Sequence, residues 1–147
     1  YYGYKDHIKA DEKSKLIDSY TVTDASVHDS QEIESLITEE DQGQPMHADS
    51  AYRSEEIETM LKEKEMTSEV HEKGYRNNPL TDQQKENNKV KSKTRARVEH
   101  IFGFIENSMN GSFIRTIGMK RATAVIGLMN LTYNMFRYTQ LISLQSG

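Results

Sequence analysis

Three features of the sequence predict an α/β fold, a mixed sheet covered by helices. Two β-prone segments open the chain, short strand-like and amphipathic helical segments then alternate, and long helical segments close it. Residues 1–9, Tyr-Tyr-Gly-Tyr-Lys-Asp-His-Ile-Lys, are aromatic and β-prone. Leu16 to Ala25 is rich in β-branched and aromatic residues, as strands are. The polar run from Ala10 to Lys15 serves as the loop of a hairpin. Asp29 stands three before Glu32, a capping-box-like start for a short helix with Ile33, Leu36 and Ile37 on one face. Gly43 and Pro45 end that helix, and Met46 to Ala48 is a short strand running up to Asp49.

Ser54 caps the next helix, whose first turn carries Glu55 and Glu56, favourable to the helix dipole. Ile57, Met60 and Leu61 form its buried stripe, and Thr67 to His71 reads as one more strand. Gly74 to Asn88 is polar and reads as irregular, so residues 74–94 form a polar and then basic excursion. Lys89, Lys91, Lys93, Arg95 and Arg97 sit at alternate positions, a spacing that suits an extended arm better than one helical face. The arm runs into a helix striped with Val98, Ile101, Phe102, Ile105 and Met109. Gly111 and Gly118 bracket a connection. Arg121 to Ser143 is a long, largely apolar helix, with Val125, Leu128, Met129, Met135 and Phe136 as its expected core positions.

The chain has 147 residues, the size of one domain, and a hydrophobic fraction of 35%, enough for one modest core. The absence of Cys excludes a disulfide scaffold, a Cys-ligated zinc site and a Cys nucleophile. No apolar run reaches the roughly 18 residues of a membrane span and no signal peptide is evident, so a soluble, cytoplasmic protein is expected. The chain opens on Tyr1 in strand-like sequence, as the downstream piece of a longer protein would. The net charge of -4 hides an uneven distribution. Residues 32–69 carry 3 basic and 12 acidic side chains, whereas residues 70–147 carry 12 basic and 5 acidic ones. That asymmetry points to a polyanion for one face, or to two solvated faces of opposite sign.

No phosphate-binding glycine loop, nucleophile elbow or His-Glu-x-x-His motif is present, and the five His show no metal spacing. Two carboxylates stand out. Asp49 ends a short strand, where open α/β sheets present reactive groups. Glu99 lies on a late helix, where Arg95, Glu99 and Glu106 share one edge of the apolar stripe. Two acids from distant segments are what Mg²⁺ needs: hard oxygen ligands that leave positions open for water and phosphate. Spacing alone favours the plainer reading, in which Asp49 caps a turn and Glu99 pairs with Arg95 one helical turn away.

Several longer phrases occur in a fixed order. They are Tyr2-Gly-Tyr-Lys-Asp-His, Val22-Thr-Asp-Ala-Ser-Val-His-Asp-Ser, His47-Ala-Asp-Ser-Ala-Tyr-Arg-Ser, Arg95-Ala-Arg-Val-Glu-His-Ile-Phe-Gly and Gly127-Leu-Met-Asn-Leu-Thr-Tyr-Asn-Met-Phe-Arg-Tyr. Together they resemble bacterial insertion-sequence transposases of the DDE class, in the insertion-sequence-five type. The resemblance implies an RNase H-like fold and a catalytic Asp, Asp, Glu triad that binds two Mg²⁺ or Mn²⁺ ions. Asp49 matches the second Asp, Glu99 the Glu, and Arg95 the Arg of the Arg-x-x-x-Glu motif. Asp49 and Glu99 are therefore the metal ligands the resemblance implies. It sets the plainer reading of the two acids aside.

Departures accompany the likeness. The first catalytic Asp belongs on a strand upstream of the opening hairpin, so the domain reads as N-terminally incomplete over 1–147. Ser92 stands where the motif has Tyr, and Glu106 where it has Lys. The activity implied for the complete enzyme is metal-dependent DNA cleavage at element ends, followed by transfer of the freed 3′-hydroxyl to target DNA. DNA is the implied partner, held through Lys89, Lys91, Lys93, Arg95 and Arg97, and homodimer assembly is left open. The alternative is a truncated or decayed remnant that binds DNA without catalysis, so whether this chain is itself an enzyme stays undecided at the level of sequence.

Overall fold

A computed structural model describes residues 3–48, 50–52, 54–76, 78–111 and 114–145, with only the backbone of Ala51. The architecture is mixed α/β, with four strands in two small sheets and four α-helices among the described residues. The chain divides into two compact units, one made of 1–28 with 97–147 and the other of 29–96.

The first unit opens with strands β1 (Tyr4–Ala10) and β2 (Ile17–Asp24), paired antiparallel from Tyr4↔Asp24 to Ala10↔Ile17 with a bulge at Lys9/Ala10. The hairpin predicted from β-branched and aromatic content forms, and its loop has a chemical cause. The Asp11 carboxylate accepts from the Ser14 amide at 2.6 Å, the Ser14 hydroxyl at 2.7 Å and the Lys13 amide at 3.1 Å. These bonds hold its carboxyl below the usual range. Lys15 then reverses the chain at φ 61°.

Against the hairpin lie the C-terminal part of helix α3 (Asp82–Met109) and helix α4 (Met119–Gln145) as far as Arg137. Ile17, Ile101, Ile105 and Tyr133 make the core, and Phe104 meets Tyr133 edge to face at 5.7 Å. Helix α4 is held to the hairpin by polar contacts as well. Asn134 accepts from the Ile17 amide and donates to the Ile17 carbonyl, both at 2.8 Å. Tyr133 donates to Lys15 O at 2.8 Å and Arg137 to Ser14 O at 2.7 Å. Helix α3 ends where Asn110 turns left-handed at φ 53° and the Gly111 amide bonds back to Ile105 O at 2.9 Å, a glycine-closed helix end. A Cβ on Gly111 would stand 2.5 Å from the Ile105 side chain and 2.6 Å from that of Met129, so only glycine fits.

Two expectations for the long helices are corrected. Leu128, Met135 and Phe136, expected in the core, are exposed, and Ala122, Ile126, Asn130 and Tyr133 are buried instead. A helix apolar on every side gives periodicity no means to choose its inner face; the polar bonds of Asn134, Tyr133 and Arg137 make that choice. The basic segment is not extended either: residues 89–97 lie inside α3.

In the second unit, a 3₁₀ turn (Asp29–Glu32) leads into α1 (Ile33–Leu36), shorter than the amphipathic pattern suggested. Strands β3 (Pro45–Met46) and β4 (Thr67–Ser68) pair in parallel. Their ladder reaches further through backbone bonds from Thr67, Glu69 and His71 amides to Gln44, Met46 and Ala48 carbonyls. Helix α2 (Glu55–Glu63) begins as expected, with Ser54 Oγ accepting from the Ile57 amide at 3.2 Å. Its Ile57 and Leu61 pack on Ile33 and Ile37, with Met46 and Met60 at the margin.

The polar excursion ends sooner than expected, because α3 starts at Asp82. Thr81-Asp-Gln-Gln84 is a capping box: Thr81 Oγ1 accepts from the Gln84 amide at 3.2 Å and Gln84 Oε1 from the Thr81 amide at 2.9 Å. Helical bonds from there onward outweigh the turn preference of the asparagines that follow.

Candidate functional site

Asp49 lies outside the described residues. The strand leading to it is described as far as Ala48, and its position is fixed by one residue of the partner strand. The Ala48 carbonyl accepts twice from His71, from its backbone amide at 3.1 Å and from its ring Nδ1 at 2.9 Å. A carbonyl only accepts, so Nδ1 carries the hydrogen. The other ring nitrogen lies 2.9 Å from Ser92 Oγ, whose single hydroxyl hydrogen is shared between that nitrogen and Asn88 O at 2.8 Å.

Helix α3 thus grips the chain after β4 with three side chains spaced i, i+3, i+4. Asn88 accepts from the Glu72 amide at 2.8 Å and donates to the Glu72 carbonyl at 3.0 Å. Lys91 donates to Val70 O at 3.1 Å, and Ser92 meets His71. Ser92, the departure at the motif's Tyr position, therefore has its own structural partner. Sequence reasoning missed the role of His71. Its neighbour Val70 is fully buried, but nothing in the local sequence pairs His71 with Ala48, 23 residues away.

Glu99 is exposed on α3, one turn beyond half-buried Arg95. Among the described residues no group of three His, Asp or Glu side chains gathers as a metal cage. Glu99 is open to solvent, and its carboxylate is a hard oxygen donor of the kind a divalent ion takes.

The basic residues separate into different roles. Lys89 and Lys93 are exposed and lie one turn apart on α3, with Glu86 3.8 Å from Lys89. Lys91 is largely covered by its contacts with Val70 O and, at 3.8 Å, Glu69. Arg97 donates to Glu12 O at 2.8 Å and has the Glu12 carboxylate at 3.5 Å. Glu106 is exposed.

A second polar pair lies between β1 and α4. Asp6 Oδ1 accepts from Asn130 Nδ2 at 3.3 Å. Burial pushes the Asp6 carboxyl up to about 6, against the opposing pull of that bond. Asn130 Oδ1 is itself buried with no hydrogen-bond partner. No helix among the described residues is long and apolar enough to cross a membrane.

Comparison with known proteins places this arrangement. The chain is 28% identical over 141 residues to the transposase for insertion sequence element IS1106 of Neisseria meningitidis serogroup B, an alignment covering 96% of this chain and 49% of that relative. The chain thus spans about half the length of this curated relative. No solved structure matches. The family described as the transposase DDE domain matches residues 1–135, a span that contains β1 to α3 and most of α4. The chain belongs to the transposase DDE domain family.

Proposed function

We propose that this chain is the C-terminal part of an RNase H-like catalytic domain, of the insertion-sequence-five type, whose complete form cuts DNA at element ends and joins the 3′-hydroxyl to a target. In the first step water attacks a phosphodiester and a 3′-hydroxyl leaves. In the second that hydroxyl attacks a target phosphodiester and displaces another 3′-hydroxyl, so one bond forms for each that breaks. The observation that carries the reading is the Arg95-Ala-Arg-Val-Glu99 segment on α3, inside the span that matches the family.

Asp49 and Glu99 would hold Mg²⁺ or Mn²⁺. Bound there, the ion would supply charge for the attacking and leaving oxygens of phosphoryl transfer. Arg95, one turn before Glu99, would orient that carboxylate or a phosphate. Lys89 and Lys93 would contact the DNA backbone, which gives affinity with little sequence readout. The first catalytic Asp would come from a strand laid beside the hairpin, absent from these residues.

The test is an oligonucleotide nicking assay with Mg²⁺ or Mn²⁺, on this chain and on one extended upstream to the relative's length. Metal-dependent cleavage by the longer chain, abolished by Asp49→Ala and by Glu99→Ala, is expected. Two carboxylates alone leave Mg²⁺ short of ligands, so the short chain should not cleave. Cleavage that survives both substitutions overturns the assignment. A longer chain that binds DNA and never cleaves supports the remnant reading instead.

A further inference from the structure

Within the first unit, a cavity of about 270 Å³ is lined by the hairpin loop, the C-terminal part of α3 and α4. Its walls are aromatic. Phe104 meets Tyr133 edge to face at 5.7 Å and lies 5.8 Å from Phe136, tilted by 56°. Phe136 is still 52% exposed, so one ring of the cavity is left to water. The charged lining is cationic. Arg137 donates to Ser14 O at 2.7 Å and to Gln140 Oε1 at 3.2 Å. Both acceptors are neutral, so its charge is not compensated. The Lys15 ammonium has no partner among the described residues, and no carboxylate lines the cavity. Lys15 also stands at φ 61°, where glycine rests easily and a lysine is held at a conformational cost.

We propose that this cavity takes one unpaired nucleotide of a DNA strand, its base stacked on Phe136 and its phosphate held by Lys15 and Arg137. An exposed ring beside two uncompensated cations suits a planar π-system that carries negative charge, and a nucleotide joins the two. Bases within a duplex already stack on their neighbours, whereas an unpaired base has a face to offer. The volume agrees: it lies just under the roughly 300–1,000 Å³ of small-ligand pockets, room for one base and its sugar. The inference rests on reading the chain as part of a DNA-acting protein. It does not rest on Asp49, Glu99 or a metal.

Fluorescence anisotropy in EDTA tests it, using a short labelled oligothymidylate, either single-stranded or annealed to oligodeoxyadenylate. The proteins are the 147-residue chain and one extended upstream to the relative's length. EDTA removes divalent ions, so a failure of the cleavage reading leaves the result unchanged. Both proteins should bind the single strand more tightly than the duplex. Phe136→Ala and Phe136→Leu should each weaken single-strand binding about tenfold, the worth of one base–ring stack, and leave duplex binding unchanged. Phe136→Tyr keeps the ring and should keep the affinity. Lys15→Gly removes the cation and relieves the left-handed backbone, so single-strand affinity should fall while the melting temperature holds or rises. Should Phe136→Ala lose its helical circular-dichroism spectrum, Phe136→Leu against Phe136→Tyr carries the comparison.

Equal affinity of the wild-type chain for the two forms of DNA overturns the proposal. So does single-strand binding that either Phe136→Leu or Lys15→Gly leaves intact. A preference present in the short chain and absent from the extended one overturns it as well, and assigns the cavity to an upstream segment of the protein.

Discussion

Asp6 and Asn130 hold opposite halves of one incomplete hydrogen-bond pair. A protonated Asp6 carboxyl can donate to the buried Asn130 Oδ1 that otherwise has no partner, while its other oxygen still accepts from Nδ2. The folded carboxyl sits at about 6, above its ordinary 3.8. The folded state therefore binds the proton more tightly than the unfolded state. The favourable contribution is complete below about pH 4 and is lost as pH rises through about 6. Asp6→Asn supplies a permanent donor. Discounting for the partial exposure of the group, it should stabilise the chain by about 1–2 kcal/mol at pH 8 and have little effect at pH 4, read by urea unfolding at both pH values. Glu106 belongs to the same scale. It is an exposed acid at the motif's Lys position on α3. Glu106→Lys should tighten DNA binding in a filter or anisotropy assay and move stability by less than about 0.5 kcal/mol. Weaker binding would assign the acid a structural or metal-binding role.

Helix α3 combines a clamp and a basic surface, and substitutions should separate them. His71→Ala removes the buried ring that joins the Ala48 carbonyl to Ser92 and should cost about 1–3 kcal/mol in chemical denaturation, since two hydrogen bonds worth about 0.5–1.5 kcal/mol each are lost. Lys89→Ala with Lys93→Ala should leave stability nearly unchanged and reduce the slope of log K against log salt by about 1.8, if each lysine neutralises one phosphate. Much of this element was legible in advance. The stripe through Ile101 and Ile105 was read correctly, and so was the Ser54 cap of α2. The helix start at Asp82 was hidden because asparagines and charges mask a Thr-x-x-Gln box whose bonds are local and short. The alternating cations suggested an extended arm. On a helix that spacing spreads them around the axis, so Lys91 turns to Val70 while Lys89 and Lys93 stay in water. Position in sequence could nominate Asp49 and Glu99, but the anchoring of the strand before Asp49 depends on His71, 23 residues from Ala48, and no local pattern encodes that.

At the scale of the molecule, one unit is assembled from the two ends of the chain and the other from its continuous middle. Removing α4 should leave the middle unit's core of Ile33, Ile37, Ile57 and Leu61 in place and strip the cover from Ile17, Ile101 and Ile105. A chain ending at Asn110 should therefore lose amide-exchange protection in the hairpin and bind a hydrophobic dye, and retained hairpin protection would show that α3 suffices as its cover. The same division has a consequence for synthesis. Ile17 leaves the ribosome before the whole middle unit, but the Asn134 amide that completes its backbone bonds lies 117 residues later. At roughly 5–20 residues per second, the hairpin waits about 6–23 s for that partner. Through this interval its inner face lacks the cover of α4, while the middle segment already holds all the residues of its own core. The nascent chain thus passes through a stage in which the middle unit has all its residues and the hairpin still waits for its last helix, and a translational pause before residue 119 would prolong it.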